Sequence, residues 1–215
     1  MAAAAVLDVD GTLVDTAYHH ALCWYRAFRE RGIVVPAWRL HRHVGMGADK
    51  FVEAVSGVQV EREHGDGLRE RWEALFDEML DEILAFGGAR ELVVDLKARG
   101  LTVVLASSAI ESHLERFLDV LDVRELTDSW TGKDDVERSK PDPDLVEGAL
   151  RQAGTRDAFM VGDTPWDVES ALQAGIPTVG VRTGGYGEDE LLRAGAVAVH
   201  DSVAELRTRL DEVLG

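Results

Sequence analysis

Hydrophobic and polar positions alternate along this chain in a way that predicts strands and helices in turn. Five short apolar runs, each bounded by polar or turn residues, predict buried strands at residues 3–7, 101–106, 158–161, 177–181 and 196–200. Amphipathic spacing predicts helices at residues 111–120, 144–152, 165–174 and 203–214. This alternation is typical of an α/β fold in which helices cover both faces of a parallel sheet.

Residues 17–87 interrupt this alternation directly after the first strand, because they show helical spacing without a convincing strand pattern. Helices are predicted there at residues 18–31, 49–55 and 68–86. Gly87 and Gly88 then predict a flexible return to the sheet. We therefore expect a core of residues 1–16 and 88–215 with an inserted helical domain of residues 17–87.

Start signals precede two of the predicted core helices. Ser108 and Glu111 have the spacing of a capping box, in which each residue satisfies a backbone donor of the other. Asp142 and Pro143 are candidates for the cap and the first turn of the following helix.

The composition is that of a soluble globular protein, with 46% hydrophobic and 29% charged residues among 215. The formal net charge of -17 argues against nucleic-acid and anionic-membrane partners, which need a basic face. The chain also shows no signal peptide and no apolar run of membrane-spanning length. We expect a cytoplasmic protein with neither nucleic acid nor membrane as a partner.

Asp8 and Asp10 follow the first predicted strand and are succeeded by Gly11 and Thr12. Strand side chains two positions apart point the same way, so both carboxylates are expected at one site. Adjacent carboxylates resist simultaneous ionisation, and such a pair can hold a cation or divide acid and nucleophile roles. An acidic turn explains the motif equally well, because Asp-Gly is a common turn dipeptide.

Three more polar positions follow or face strand ends, where ligands gather in parallel sheets. Ser107 follows the second strand and offers a hydroxyl to a phosphoryl oxygen. Lys140 is held stiffly by Pro141 and is either an anion ligand or a solvated loop residue. Asp163 follows the strand at 158–161 and could bind a hard cation through oxygen.

Asp167 has two possible roles. Thr164, Pro165 and Asp167 have the spacing of an N-cap residue, a first-turn proline and a capping-box acid. From the same position, Asp167 could also orient the ligands of a metal ion.

The motifs stand in one order: Asp-x-Asp-Gly-Thr, Ser, Lys-Pro, and Gly-Asp-x-x-x-Asp. This order resembles the haloacid dehalogenase-like (HAD) hydrolase superfamily over about residues 5 to 181, with the insert where that family has its type I cap. The resemblance is to the phosphoglycolate phosphatase and β-phosphoglucomutase-like group. It implies a Rossmann-like parallel sheet core with an inserted α-helical cap.

The resemblance also implies how the acids would act. Asp8 would be the nucleophile that forms an aspartyl-phosphate, and Asp10 would protonate the leaving oxygen and then activate water. Mg²⁺ would be held by Asp8, by the backbone carbonyl of Asp10 and by Asp163. Asp167 would support the ion, either directly or through water.

The phosphoryl oxygens would be bound by Ser107 and Lys140, with Thr12 beside them. Phosphoryl transfer depends mainly on positioning and on neutralisation of charge. A divalent ion together with Lys140 would supply the local positive field that a net charge of -17 denies to the rest of the protein.

Candidates for contacts with the leaving group are the cap residues His20, Arg42, His43 and Lys50. His20 belongs to an Asp15-Thr16…His20…Trp24 pattern that the β-phosphoglucomutase group shares. A solvated helix face explains Arg42, His43 and Lys50 equally well.

Residue 10 discriminates among related activities. Dehalogenases and phosphonoacetaldehyde hydrolases of this superfamily lack an acid at this position, so Asp10 favours phosphate esters as substrates. Lys50 lies near the position of the cap lysine in the phosphonoacetaldehyde hydrolases, so that activity remains an alternative. A mutase would carry arginine near position 48, where this chain has Ala48. A phospho-accepting receiver module, which is a signalling protein and not an enzyme of this superfamily, is a further alternative.

The sequence predicts a Mg²⁺-dependent phosphomonoester hydrolase for a small phosphorylated metabolite.

Overall fold

The computed structural model describes residues 2–133 and 136–215. Its strands, all parallel, form one sheet in the order β3-β2-β1-β4-β5-β6. The strands are β1 (Ala4–Asp8), β2 (Thr102–Ala106), β3 (Ser129–Thr131), β4 (Ala158–Gly162), β5 (Thr178–Val181) and β6 (Ala198–His200). The predicted α/β fold with a parallel sheet is therefore confirmed.

The first strand lies between β2 and β4 and is buried along its whole length. Its register pairs Asp8 with Ala106 and Leu7 with Val161, so the ends of the three central strands lie side by side. This register decides where the polar residues after each strand meet.

Helices cover both faces of the sheet, as the burial of β1, β4 and β5 along their whole length requires. Those after the insert are α5 (Ala89–Ala98), α6 (Glu111–Leu121), α7 (Asp144–Ala153), α8 (Pro165–Gln173), α9 (Glu188–Ala194), α10 (Val203–Thr208) and α11 (Leu210–Leu214). Leu7 and Leu105 pack on the face that carries α5, α6 and α10. Val6 and Val104 pack on the opposite face, against α7 and α8.

Between β1 and α5 the chain is helical, as predicted, with α1 (Ala17–Glu30), α2 (Ala37–His41), α3 (Ala48–Ser56) and α4 (Val58–Asp77), followed by a 3-10 turn at Leu80–Glu82. The helix predicted at 68–86 in fact begins ten residues earlier and ends at Asp77. The first half of α4 was missed because Gly65 interrupts its helical pattern in the sequence. In the structure, Arg69 and Glu61 form an ion pair across that glycine. The division into core and cap domains remains a prediction.

Two predicted start signals are wrong. Helix α6 begins after Ile110, which has no side-chain cap. The Ser107 hydroxyl, not that of Ser108, accepts the nearby backbone N–H of Ala109. Helix α7 begins after Pro143, also without a side-chain cap, and the Asp142 carboxylate instead pairs with Lys50.

Stacked aromatic rings hold three insert helices together. The Trp24 ring of α1 stacks on Phe51 of α3, with ring centroids 4.4 Å apart, and on Trp72 of α4 at 4.9 Å. Within residues 2–133 and 136–215, no helix combines the length and hydrophobicity needed to cross a membrane.

Candidate active site

Three carboxylates meet where β1 and β4 end. Asp8 is the last residue of β1, Asp163 follows β4 directly, and Asp167 lies in the first turn of α8. All three are buried, and each offers an oxygen within 4.8 Å of the others. The pairing of β1 with β4 thus brings together acids that are more than 150 positions apart in the sequence.

Lys140 places its ammonium group inside this cluster. Its Nζ atom contacts Asp8 and lies 2.6 Å from Asp167 Oδ1, and its side chain is 2% exposed. Burial alone would lower the pKa of Lys140, but the charges of Asp167 and Asp8 outweigh it and raise that pKa above its ordinary value. The predicted loop lysine is therefore a buried cation rather than a solvated one.

The cluster has more negative than positive charge. Burial raises the pKa of Asp8 to about 7 despite the opposing effect of Lys140. Burial, with Asp167 and Asp8 nearby, also raises the pKa of Asp163 well above its ordinary value. Three close carboxylates with one ammonium fit a hard divalent cation bound through oxygen, and Mg²⁺ is such an ion.

Asp10 is not part of this carboxylate cluster. Its Oδ2 atom accepts a hydrogen bond of 2.8 Å from the Ser107 hydroxyl, and its Oδ1 atom lies 3.3 Å from His20 Nε2. The strand ends at Asp8, so the strand period of two does not extend to Asp10, although the charge of Asp10 still raises the pKa of Asp8. The metal ligand predicted at Asp10 is its backbone carbonyl and remains a prediction.

The surroundings of Asp10 favour its ionised form. Burial alone would raise the pKa of Asp10, but the contact with His20 and the hydrogen bond from Ser107 outweigh it and lower that pKa. Ser107 is thereby tied to Asp10, while its predicted contact with a phosphoryl oxygen remains a prediction.

Thr12 lies between two of the carboxylates. Its hydroxyl oxygen is 2.7 Å from Asp8 Oδ2 and 2.7 Å from Asp163 Oδ1. The hydroxyl has one proton, so it donates to one carboxylate at a time. Its side chain orients the acids in this arrangement, and a phosphate contact by Thr12 remains a prediction.

Asp167 fills the first of the two roles considered for it, and its role toward a metal ion remains a prediction. Its Oδ2 atom accepts from the backbone N–H of Thr164 at 3.0 Å and from the Thr164 hydroxyl at 2.7 Å, which completes the predicted capping box. Its other oxygen faces Lys140. The cap fixes the side chain so that it reaches the cluster in one orientation.

Two glycines allow the chain to approach Asp163, and one of them gave no signal in the sequence. A Cβ at Gly11, which has a positive φ of 81°, would lie 2.5 Å from Asp163 Oδ2. A Cβ at Gly184, in the 3-10 turn Arg182–Gly184 after β5, would overlap the same oxygen. The position of the Asp163 carboxylate therefore depends on the turn that contains Gly184, in a different loop of the chain.

The four cap candidates have different surroundings. His20 contacts Asp10. Arg42 pairs with Glu190 and lies 4.1 Å from the centre of the Tyr186 ring. The Nδ1 atom of His43 lies 2.8 Å from the carbonyl oxygen of Arg39 in α2. Lys50 pairs with Asp142, which lies just before α7.

A pocket opens beside Asp10, between the insert and the loop after β2. Its lining includes Asp10 and His20, the aromatic residues Trp24, Phe51 and Trp72, and Ser108. Of the four cap candidates, His20 lines this pocket, while Arg42, His43 and Lys50 are not among its described lining residues.

The sequence matches the family model described as "Haloacid dehalogenase-like hydrolase" over residues 5–181. It is 29% identical to the phosphoglycolate phosphatase of Rhodospirillum rubrum, over 96% of this chain and 90% of that protein. It is 28% identical to the N-acetylmuramic acid 6-phosphate phosphatase of Pseudomonas aeruginosa, over 98% and 96%. A hydrolase from Pseudomonas syringae has a similar structure, with a TM-score of 0.92, 30% identity and 98% coverage of both chains.

Proposed function

Since the chain belongs to the haloacid dehalogenase-like hydrolases, we propose that this phosphatase is a Mg²⁺-dependent phosphomonoester hydrolase for a small phosphorylated metabolite. The observation that carries the proposal is the buried cluster in which Lys140 contacts both Asp8 and Asp167. Such a cluster suits the transfer of a dianionic phosphoryl group, which needs fixed positive charge and a positioned nucleophile.

Asp8 is the proposed nucleophile. Lys140 contacts one of its oxygens, and Thr12 lies 2.7 Å from the other, so the carboxylate is held in one orientation. An oxygen of Asp8 forms the new bond to phosphorus while the bond from phosphorus to the leaving oxygen breaks. Mg²⁺, bound by Asp8 and Asp163 with support from Asp167, would neutralise charge on the phosphoryl oxygens.

Asp10 is the proposed acid and base. In the first step its proton passes to the leaving oxygen. In the second it takes a proton from the water that attacks phosphorus, while the bond from phosphorus to the Asp8 oxygen breaks and phosphate is released. The proton lost in one step is regained in the other. The lowered pKa of Asp10 suits the second step, which requires the carboxylate.

Several features support a small soluble substrate. The named relatives act, by their names, on phosphoglycolate and on N-acetylmuramic acid 6-phosphate, both small phosphate esters. The net charge of -17 disfavours polyanionic partners such as nucleic acids and anionic membranes. A cytoplasmic location is part of the same proposal.

The related activities are less well supported. Lys50 pairs with Asp142 and donates to the Ser139 carbonyl at 2.8 Å, which does not suit a lysine that must attack a substrate carbonyl. Release of phosphate over many turnovers would separate the hydrolase from a receiver module, which retains one phosphoryl group per chain.

The decisive experiment compares Asp8→Asn with Asp119→Asn, a change on the exposed side of α6, using p-nitrophenyl phosphate and Mg²⁺. We expect Asp8→Asn to lower kcat by about 10⁴-fold or more, as the loss of a nucleophile does in other enzymes. Asp119→Asn should keep normal activity. Normal hydrolysis by Asp8→Asn would refute the proposal.

A further inference from the structure

The pocket beside Asp10 is where the leaving group of the proposed reaction has to lie. Asp10 is one of its lining residues and is the group that would protonate the leaving oxygen. Asp8, Lys140 and Asp163, which would hold the phosphoryl group, are not among its described lining residues. The residues of this pocket would therefore contact the alcohol part of the substrate, while other residues hold the phosphate.

Three aromatic residues give this pocket a rigid apolar wall. Phe51, Trp24 and Trp72 come from three different helices and stack with centroid distances of 4.4 and 4.9 Å. Phe51 and Trp24 are almost completely buried and hold the partly buried Trp72 in place, so Trp72 provides the accessible ring of this wall. Such a wall favours a leaving group with a flat or ring-shaped apolar face.

The charges around the pocket disfavour an anionic leaving group. Among the described lining residues, Lys133 has the one permanent positive charge, and it is exposed. Asp10 and Glu73 line the same pocket with carboxylates. The lining histidine His113 is already paired, 2.6 Å from Asp77. A carboxylate on the leaving group would face repulsion there with one solvent-screened counterion.

Unpartnered nitrogens in the lining favour hydroxyl groups on the substrate. The indole N–H of Trp72 and the Nδ1 atom of His20 are buried and have no hydrogen-bond partner among the described residues. Buried polar groups are rarely left unpaired in native proteins. A hydroxyl group can accept from the indole N–H or donate to the imidazole nitrogen, so hydroxyl groups would satisfy both without adding charge.

We propose that the leaving group is an uncharged, hydroxylated ring, so that the substrate is a phosphate ester of a sugar or a cyclitol. This proposal rests on the proposed phosphatase function and specifies its substrate class. It excludes short carboxylate-bearing alcohols such as glycolate as preferred leaving groups, because they offer no ring face and add a negative charge.

The test compares kcat/KM for glucose 6-phosphate and myo-inositol 1-phosphate with that for 2-phosphoglycolate and glycerol 1-phosphate, at a fixed Mg²⁺ concentration. We expect at least one ring ester to exceed 2-phosphoglycolate by about tenfold or more, the factor that one good aromatic contact provides. Equal or better turnover of 2-phosphoglycolate would overturn the proposal. Failure to release phosphate from all four esters and from the more reactive acyl phosphate acetyl phosphate would instead overturn the proposed function.

Variants of the wall separate stacking from hydrogen bonding. Trp72→Ala should lower the ratio of kcat/KM for the ring ester over glycerol 1-phosphate by about tenfold, whereas Trp72→Phe should keep most of it. Trp38→Ala, which changes an exposed tryptophan outside the pocket, is the matched control. An unchanged ratio in Trp72→Ala would overturn the proposal, and the ratio does not depend on how much protein is folded.

A gain of preference gives a second, independent measurement. Glu73→Lys places a cation in the pocket and should raise kcat/KM for 2-phosphoglycolate relative to the ring ester by about tenfold. Glu70→Lys makes the same change at an exposed position of α4 and should leave the ratio unchanged. If both variants behave alike, the charge of the pocket does not set specificity and the proposal fails.

Discussion

The ammonium of Lys140 lies 2.6 Å from a carboxylate oxygen of Asp167, and each side chain is at most 2% exposed. An ion pair this deeply buried stabilises a fold only while both partners are present, since either charge alone would be left without solvent or counterion. The same pair orients Lys140 toward Asp8. Stability and chemistry therefore depend on one side chain.

Replacement of Lys140 should damage both properties. Lys140→Met leaves the buried carboxylates of Asp8 and Asp167 without their ammonium partner and should lower the free energy of unfolding by about 3 kcal/mol or more. Urea unfolding at pH 7 measures this loss, and phosphatase assays should show the loss of turnover. Lys97→Met, which breaks a partly exposed ion pair with Asp128, should lower the free energy of unfolding by about 1 kcal/mol or less. Equal losses in the two variants would contradict the argument.

The pH dependence of turnover should respond to His20. His20→Phe keeps the ring that stacks on Phe76 but removes the contact that lowers the pKa of Asp10. The pKa of Asp10 then rises, so the carboxylate form is lost at a higher pH. We expect the acid limb of the profile of kcat against pH to move upward, with His64→Phe as the surface control. An acid limb at the same pH would show that another group determines it.

Affinity for Mg²⁺ should depend on Gly184. A Cβ at this position would overlap Asp163 Oδ2 and force the carboxylate to move. Gly184→Ala should raise the Mg²⁺ concentration for half-maximal activity by about tenfold or more, as loss of ligand orientation does elsewhere. Gly87→Ala is the control, because a Cβ there meets nothing within 4 Å. Titration calorimetry with Mg²⁺ checks the result without substrate.

The thiol of Cys23 should be unreactive in the folded protein. Burial raises the pKa of Cys23 to about 11, and its sulfur lies 3.6 Å from that of Met79. An unperturbed thiol ionises near pH 9, so the stability that Cys23 contributes is complete below about pH 9 and is lost as pH rises toward 11. We expect no labelling by a thiol reagent at pH 8 until urea unfolds the chain. Rapid labelling of the native protein would show that Cys23 is accessible.

The parallel sheet was predictable because its central strands are continuous apolar runs with polar residues directly after them. The short strand β3 escaped prediction, since two of its three residues are only partly buried and no apolar run marks it. Helix α4 was shortened in the prediction because Gly65 and Gly67 weaken helix propensity. Packing against α1 outweighs that weakness.

The acids and the lysine of the candidate site were also readable, because each stands at a strand end or before a helix. What the sequence did not reveal depends on tertiary contacts. Nothing in the sequence indicates that Gly184 touches Asp163 or that Arg42 pairs with Glu190. Ser108 matched a capping box by spacing alone, but Ser107 is the residue whose hydroxyl meets the backbone.

The placement of β4 beside β1 has a consequence for the chain during synthesis. Thr12 and Asp163 are 151 positions apart, so their contact cannot form until β4, which is synthesised late, has left the ribosome. A nascent chain that ends before β4 therefore contains Asp8, Thr12 and Lys140 but lacks Asp163 and Asp167, which complete the carboxylate cluster. The first phosphoryl transfer by a growing molecule would mark the moment at which its central strands have paired.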